Sequence, residues 1–319
     1  MCVDQGISLP EKLGICFDYS LGSTMIDFLK YRVVTACISA LIIFGSVGLY
    51  FYKVHTRGYA FTYSIDFTGG TQVHMRFEKP IRVTQLKDIL ENHGWTNSII
   101  REFSSTEVLV RVKEFASDSQ GLAERMREAV ANDLEDNTVT ILQSEAVGAG
   151  VGAELRWKSI RAVLIGLIAM VIYIAVTFWS TAFALGAIVS LIHDVLAMLA
   201  AFLILDKEIS INVIGAVLTV IGYSMNDTIV VFARIRSMLK TMSHASLYDI
   251  VNTSINTTLR RTILTSFATT LTVLSMLILG GEALRDFALA LLIGIVFGTY
   301  SSIYIASPVM MLLYKNKKA

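Results

Sequence analysis

Three side chains able to carry charge stand inside otherwise apolar stretches of this 319-residue sequence: His193, Asp194 and Asp227. A charge at the centre of a membrane-spanning helix costs about 2.5 to 3.5 kcal/mol on insertion scales, so each of the three demands a reason. Asp227 lies in Gly222-Tyr-Ser-Met-Asn-Asp-Thr228. A carboxylate in such a setting can load and release a proton, and proton relay or gating is the functional reading that Asp227 favours. The competing reading is a hydrogen-bond clamp between helices, and for Asp194 the two stand close to level. For His193 a satisfied buried imidazole is the better reading. Arg260, Arg261 and Thr262 open the next apolar block. Antiparallel neighbouring helices could bring an arginine to Asp227. Within about 4 to 6 Å a guanidinium stabilises the ionised carboxylate, and withdrawing it releases that hold, which links conformation to protonation. For Arg261 this coupling role and a plain topological role stand level; for Arg260 topology is favoured, because arginines mark cytoplasmic helix ends.

Catalytic readings of the same residues fail on their motifs. Ser224 with His193 suggests an intramembrane serine protease, but Met225 stands where a glycine should follow the serine. Asp194 with Asp227 suggests an aspartyl protease, but the Gly-x-Gly expected before the aspartate is absent. No nucleotide or metal site is visible and no cofactor is expected. Val147-Gly-Ala-Gly-Val-Gly-Ala-Glu-Leu155 lacks the Lys-Ser/Thr of a phosphate-binding loop. With Gly148 and Gly152 it reads as a hinge between a soluble domain and a membrane bundle. Ile65-Asp-Phe-Thr-Gly-Gly-Thr71 carries the pair Gly69 and Gly70, read as a turn into a strand. Gly294, Gly298, Ser301 and Ser302 put small residues on one helix face, spaced for close helix packing.

The elements that position these residues follow from composition. Apolar residues make up 54% of the chain and charged residues 17%, against about 25% charged in ordinary globular proteins. A helix crossing about 30 Å of hydrocarbon needs around 20 mostly apolar residues. Six such segments are predicted: Val33 to Tyr52, Ile160 to Phe178, Phe183 to Leu205, Ile211 to Phe232, Ile263 to Leu279 and Phe287 to Leu313. These bounds place Asp227 about one and a half turns from the end of its helix. Residues 1–32 are then a cytoplasmic N-terminal segment, 33–52 the first helix, 53–158 a soluble domain, 159–314 the remaining five helices and 315–319 a tail.

Within residues 53–158, alternation from Thr71 to Phe77 predicts a strand and Val83 to His93 a helix stopped by Gly94. Ser98 to Phe103 and Glu107 to Val112 form a hairpin, Ser119 to Leu134 a second helix and Thr138 to Gln143 a last strand. The order βαββαβ is that of a ferredoxin-like α+β domain. Lys12, Lys30 and Arg32, then Arg234, Arg236, Lys240, Arg260 and Arg261, then Lys315, Lys317 and Lys318 share one side if six helices are correct. Both termini are thus expected in the cytoplasm and the inserted domain outside. The net charge of +1 gives no reason to expect nucleic acid. Cys2, Cys16 and Cys37 precede or lie in the first apolar block and imply no disulfide framework.

Taken in order, these motifs resemble the SecD/SecF family of protein-export subunits, and within it the smaller, SecF-type member. The match runs from Met25-Ile-Asp-Phe-Leu-Lys-Tyr-Arg32 through Ile65 to Thr71, the Val-Gly-x-x-Val-Gly-x-Glu-Leu block, His193-Asp194, Asn226-Asp-Thr-Ile-Val-Val-Phe232, Arg234-Ile-Arg236, Arg261-Thr262, and Phe287 to Pro308. The resemblance implies a polytopic RND-type half bundle in the bacterial inner membrane, with a periplasmic ferredoxin-like domain between its first two helices. It implies a SecD-type partner, a SecYEG-type channel, contact with exported polypeptides and membrane lipid, and protein export driven by the proton motive force. Asp227 and Arg261 then match proton-pathway positions, with Asp194 beside them. The chain departs from the family at Ala149, Ala233 and Ser237, where Pro, Asp and Glu are common, so a second carboxylate at that helix end is missing. The alternatives are a stand-alone small-molecule or lipid exporter of the same fold and a passive assembly scaffold.

Overall fold

The structure is a computed structural model that describes residues 25–314, apart from 97, 135, 136 and 243. Cys2, Cys16, Lys12 and the C-terminal lysines, like most of the predicted N-terminal segment and the tail, lie outside the described residues. Helix α1 (Arg32–Arg57) follows a single 3-10 turn and leads to strand β1 (Thr62–Tyr63) and the one-turn helix α2 (Ile65–Thr68). The inserted domain then runs β2 (Gly70–Phe77), α3 (Val83–Asn92), β3 (Ile99–Glu102), β4 (Glu107–Val112), α4 (Ser119–Asp133) and β5 (Val139–Val147). Next come α5 (Ala149–Phe178), α6 (Thr181–Ile204), strand β6 (Glu208–Ile209), α7 (Ile211–Thr241) and α8 (Leu247–Leu279). Helix α9 (Gly281–Ser301) continues through a π turn, Ser302–Ala306, into α10 (Ser307–Leu313). Among the described residues, six helical spans are long and apolar enough to cross a membrane.

The domain sheet has the order β3-β4-β2-β5 with every pairing antiparallel, the ferredoxin-like arrangement expected from the sequence. Alternation puts Val73, Met75, Phe77, Val108, Val110 and Val112 on the face covered by α3 and α4. Leu86, Leu90, Leu122 and Met126 complete that core. The opposite face carries Gln72, His74, Arg101, Phe103, Gln143 and Glu145, and it overhangs the bundle across a crevice of about 320 Å³.

A polar joint holds that face to the α6–α7 connection. Strand β1 pairs in parallel with β6, Thr62 opposite Glu208 and Tyr63 opposite Ile209. Arg111 donates to Glu208 at 2.5 Å, to Gln72 at 2.8 Å and to the Tyr63 carbonyl at 2.9 Å. Arg101 reaches the other Glu208 oxygen at 3.1 Å. Lys53 donates to Asp206 at 2.9 Å and to the Leu203 carbonyl at 2.7 Å, while Arg57 meets Asp206 at 3.0 Å. These contacts, the Lys53 hydrogen bond foremost, hold the Asp206 carboxyl below the usual carboxylate range.

The glycines of the two sequence motifs meet here. Gly69 and Gly70 take φ of 73° and 116°, and a Cβ on Gly70 would strike the Val112 carbonyl. A Cβ on Gly69 would lie 2.7 Å from the Ala149 Cα, and one on Gly152 would lie 3.1 Å from the Gly69 nitrogen. Gly148 is the extended N-cap of α5, so most of the 147–155 block is helix packed against α2.

Helices reach beyond their apolar cores, three of them by two turns or more. Helix α5 starts at Ala149, not Ile160; α7 runs past Phe232 to Thr241; and α8 begins at Leu247, so Arg260 and Arg261 lie well inside it. Hydropathy marks only the hydrocarbon-crossing part of a helix, whereas backbone hydrogen bonding continues until a cap ends it. Ser246 supplies the α8 cap by accepting from the Asp249 N–H. Asp227 therefore sits much farther from its helix end than the sequence predicts.

Helix α9 packs against α6, α7 and α8 at the centre of the bundle. Gly294 lies against the Val220 side chain, and a Cβ on Gly298 would lie 2.9 Å from that of Ser224. Gly294→Leu is expected to cost about 1 to 3 kcal/mol by overpacking, read as a lower thermal midpoint in detergent. Gly45→Leu, with open space around it, should leave the midpoint in place.

At the joint, Glu208→Ala leaves the buried Arg111 guanidinium without a counter-charge and is expected to cost about 3 to 5 kcal/mol of docking, seen as faster hydrogen exchange across β1 and β6. The Asp206 contacts add a pH term. Its folded-state value is depressed, so their stabilisation is present above the ordinary carboxylate range and lost as pH falls through the folded-state value. Exchange in β6 should accelerate below about pH 4 in the native chain and not in Asp206→Asn.

Candidate functional site

Asp194 is 1% exposed and fully engaged. One carboxylate oxygen accepts from Ser224 on α7 at 2.5 Å and from Ser301 on α9 at 2.8 Å. The other lies 3.1 Å from Nδ1 of its neighbour His193. Ser190 donates to Ser301 at 2.9 Å, and His193 Nε2 lies 3.0 Å from Ser39 on α1. Ser39 in turn lies 3.0 Å from the Tyr300 hydroxyl, which donates to the Thr35 carbonyl at 2.7 Å. Side chains from α6, α7 and α9 thus converge on one carboxylate, and α1 joins them through His193. Ser224 bonds Asp194, and His193 turns to Ser39 and Asp194, so the protease pairing of Ser224 with His193 does not form.

Asp227 differs. It is 3% exposed, and its Oδ2 has no hydrogen-bond partner among the described residues. Arg261 and Ser266, both on α8, are the polar groups that act on it, and Arg261 does so through space without closing a salt bridge. Ser266 is 2.8 Å from Thr299 on α9, so hydroxyls line this side of the central helix. Arg261 itself is exposed. Thr299 and Ser301 are two positions apart and about 200° around α9, so the Asp227 and Asp194 neighbourhoods flank the same helix.

Helix α9 is irregular at this level. The Ser302–Ala306 π turn leaves the Ser302 carbonyl to accept from the Ser307 hydroxyl at 2.9 Å, just before Pro308, whose ring nitrogen cannot donate. π turns accompany functional sites often enough to note that this one adjoins Ser301.

Ser39 and Tyr300 carried no signal in the sequence, because serine and tyrosine are ordinary in membrane helices, and Ser224 drew notice only through the protease pairing that does not form. Asn252 and Asn256 were equally silent. They sit one helical turn apart on α8, and their amides grip the backbone of Ile26 and Phe28, at 3.0 Å to each amide nitrogen. Among the described residues no group of three or more His, Cys, Asp or Glu is arranged to hold a metal.

Comparison with known proteins agrees with this architecture. Residues 127–316 match the family described as protein export membrane protein SecD/SecF, C-terminal, and residues 60–81 match the SecD/SecF GG motif. A protein translocase subunit SecF of Thermodesulfovibrio yellowstonii is 36% identical over 93% of this chain and 97% of its own length. One from Calditerrivibrio nitroreducens is 40% identical over 92% and 95%. The crystal structure of SecDF, a translocon-associated membrane protein from Thermus thermophilus, superposes with a TM-score of 0.79 at 37% identity. That match covers 89% of this chain and 38% of the longer SecDF chain. With near-full-length relatives of this identity and a family match over most of the bundle, the chain belongs to the SecD/SecF family as a SecF-type protein translocase subunit.

Proposed function

We propose that this chain promotes protein export by coupling proton movement at Asp227 to rearrangement of its bundle and inserted domain, acting with a SecD-type partner. The observation that carries this reading is the contrast between its two buried carboxylates. Asp194 is fully hydrogen-bonded, whereas an oxygen of Asp227 is left without a partner beside a guanidinium that makes no salt bridge. An oxygen with no partner can take up a proton without breaking an existing hydrogen bond. Arg261 approaches Asp227 to hold its charge and withdraws to let it take up a proton.

The SecDF relative, of which this chain matches 38%, supports a partner that completes the assembly. Exposed Ile263, Leu264, Phe267 and Leu271 on α8, beside Arg261, form a face for lipid or for that partner. On this reading the chain sits in the bacterial inner membrane with both termini cytoplasmic and its domain periplasmic, where it meets exported polypeptide near a SecYEG-type channel. The segments 33–52, 53–158 and 159–314 are its anchor, outer domain and permease bundle. The Gly69–Gly70 and Gly148–Gly152 contacts are the joint through which bundle movement reaches the domain, and Gly294 and Gly298 keep α7 and α9 close enough to move together. Asp194 serves the same pathway. One proton crossing 100 mV supplies about 2.3 kcal/mol, so motion proceeds in small steps or uses several protons.

The test is proton-gradient-dependent export into membrane vesicles carrying the chain with its SecD-type partner. Asp227→Asn and Arg261→Met are each expected to reduce stimulation to the level seen without this chain, at equal amounts of assembled complex. Stimulation that persists in Asp227→Asn makes the chain an assembly scaffold.

A further inference from the structure

The hydrogen bonds around Asp194 have directions, and the directions constrain where protons are. The Thr35 carbonyl can only accept, so Tyr300 spends its single hydroxyl proton on it. Tyr300 must then accept from Ser39, and Ser39, its own proton committed, must accept from His193 Nε2–H. With Nε2 protonated, the 3.1 Å contact between His193 Nδ1 and Asp194 Oδ1 needs one more proton lying on that line. Oδ2 takes no part, since it already accepts from Ser224 and Ser301.

A second arrangement needs one proton fewer, with the Tyr300 hydroxyl swung off the Thr35 carbonyl. Tyr300 donates to Ser39, Ser39 donates to Nε2, and Nδ1–H donates to an ionised Asp194. Thr35 O then loses this extra donor. We propose that His193 and Asp194 hold one exchangeable proton between them, and that Ser39 and Tyr300 are the wire through which it passes to the α1 side of the bundle. The proposal rests on the proton-coupled reading above and adds a second proton store, separate from Asp227.

The exchange balances. A proton arriving at the Tyr300 oxygen displaces the phenolic proton to Ser39 Oγ, the Ser39 proton moves to Nε2, and the proton on Nδ1 becomes shared with Oδ1. The arriving proton stays on Tyr300 and is donated to Thr35. Release runs the same steps in reverse. Tyr300 is half-buried, and its hydroxyl reaches the carbonyl of Thr35 in the first turn of α1. The wire therefore points to the end of the bundle where α1 begins.

The groups facing the pair are few. Helix α1 presents Ser39, α9 presents Phe297, Tyr300 and Ser301, α6 adds Ser190, and α7 presents Ser224, with Asp227 the next carboxylate along that helix. Among the described residues no lysine or arginine acts on Asp194, so the proton has no fixed cation to displace it.

The measurement is solid-state NMR of 15N-histidine-labelled chain, assembled with its SecD-type partner in lipid, from about pH 5 to about pH 8. His193 is assigned by the signals lost in His193→Gln. Nε2 is expected to be protonated at the acid end and unprotonated at the alkaline end, where Nδ1 alone carries the proton. Ser39→Ala and Tyr300→Phe should abolish this exchange and slow gradient-driven proton uptake roughly tenfold, the effect of about 1.4 kcal/mol on a barrier. Ser39→Thr, which keeps a hydroxyl, should restore both.

A His193 that keeps one tautomer across the range overturns the proposal, as does proton uptake unchanged in both hydroxyl variants. Asp227→Asn separates the two readings. It should leave the His193 exchange intact, so full export in that variant sinks the coupling role of Asp227 while the tautomer result still decides the wire.

Discussion

Everything in the bundle depends on the absence of water around polar groups at membrane depth. A carboxylate, an imidazole or a hydroxyl placed there must find its partners on neighbouring helices. Asp194 meets that demand by drawing Ser224 and Ser301 onto one oxygen and His193 onto the other. Those reaches are possible only because α9 comes within side-chain-free distance of α7, with Gly298 set against Ser224 and Gly294 against Val220. Close packing and polar satisfaction are therefore one requirement. Enlarging either glycine separates the helices that share the carboxylate.

The two acids show how one bundle can contain both a fully hydrogen-bonded carboxylate and one with an oxygen to spare. Around Asp194 each donor has an acceptor, and a network satisfied in this way specifies a single packing. Around Asp227 an oxygen is left over and the nearest cation stands exposed on α8. Helix α9 lies between them and carries the Ser302–Ala306 π turn just past Ser301, so the element linking the two sites is also the least regular. Thr299 meets Ser266 on the Asp227 side of that helix, and Ser301 meets Asp194 on the other.

The inserted domain answers to a different solvent. Its sheet is covered on one face by α3 and α4, and its second face is polar because it meets water and the charged α6–α7 connection. The buried Arg111–Glu208 pair, supported by Gln72, Arg101 and the Tyr63 carbonyl, ties that face to the bundle. Burial of such a pair is tolerable because every charge has several partners. Together with the β1–β6 pairing and the glycine contacts at α2 and α5, it makes the domain and the bundle one mechanically connected body.

What the sequence determined by itself is whatever local periodicity and solvent impose. Blocks of about 20 apolar residues can only be spans, and alternation between Thr71 and Phe77 can only bury one strand face. The expense of charge in lipid singled out Asp194 and Asp227 without any structure. Helix ends were misplaced wherever a helix left the hydrocarbon, because hydropathy reports the solvent of a segment and a cap such as Ser246 ends the backbone ladder. The tertiary structure decided the rest. Only packing could show that Asp194 is satisfied and Asp227 is not, that Arg261 stands off from the acid, and that the glycine-rich block is a helix end pressed against Gly69. Ser39, Ser224 and Tyr300 acquire meaning from groups 30 to 265 positions away in the chain, and a one-dimensional pattern carries no record of such distances.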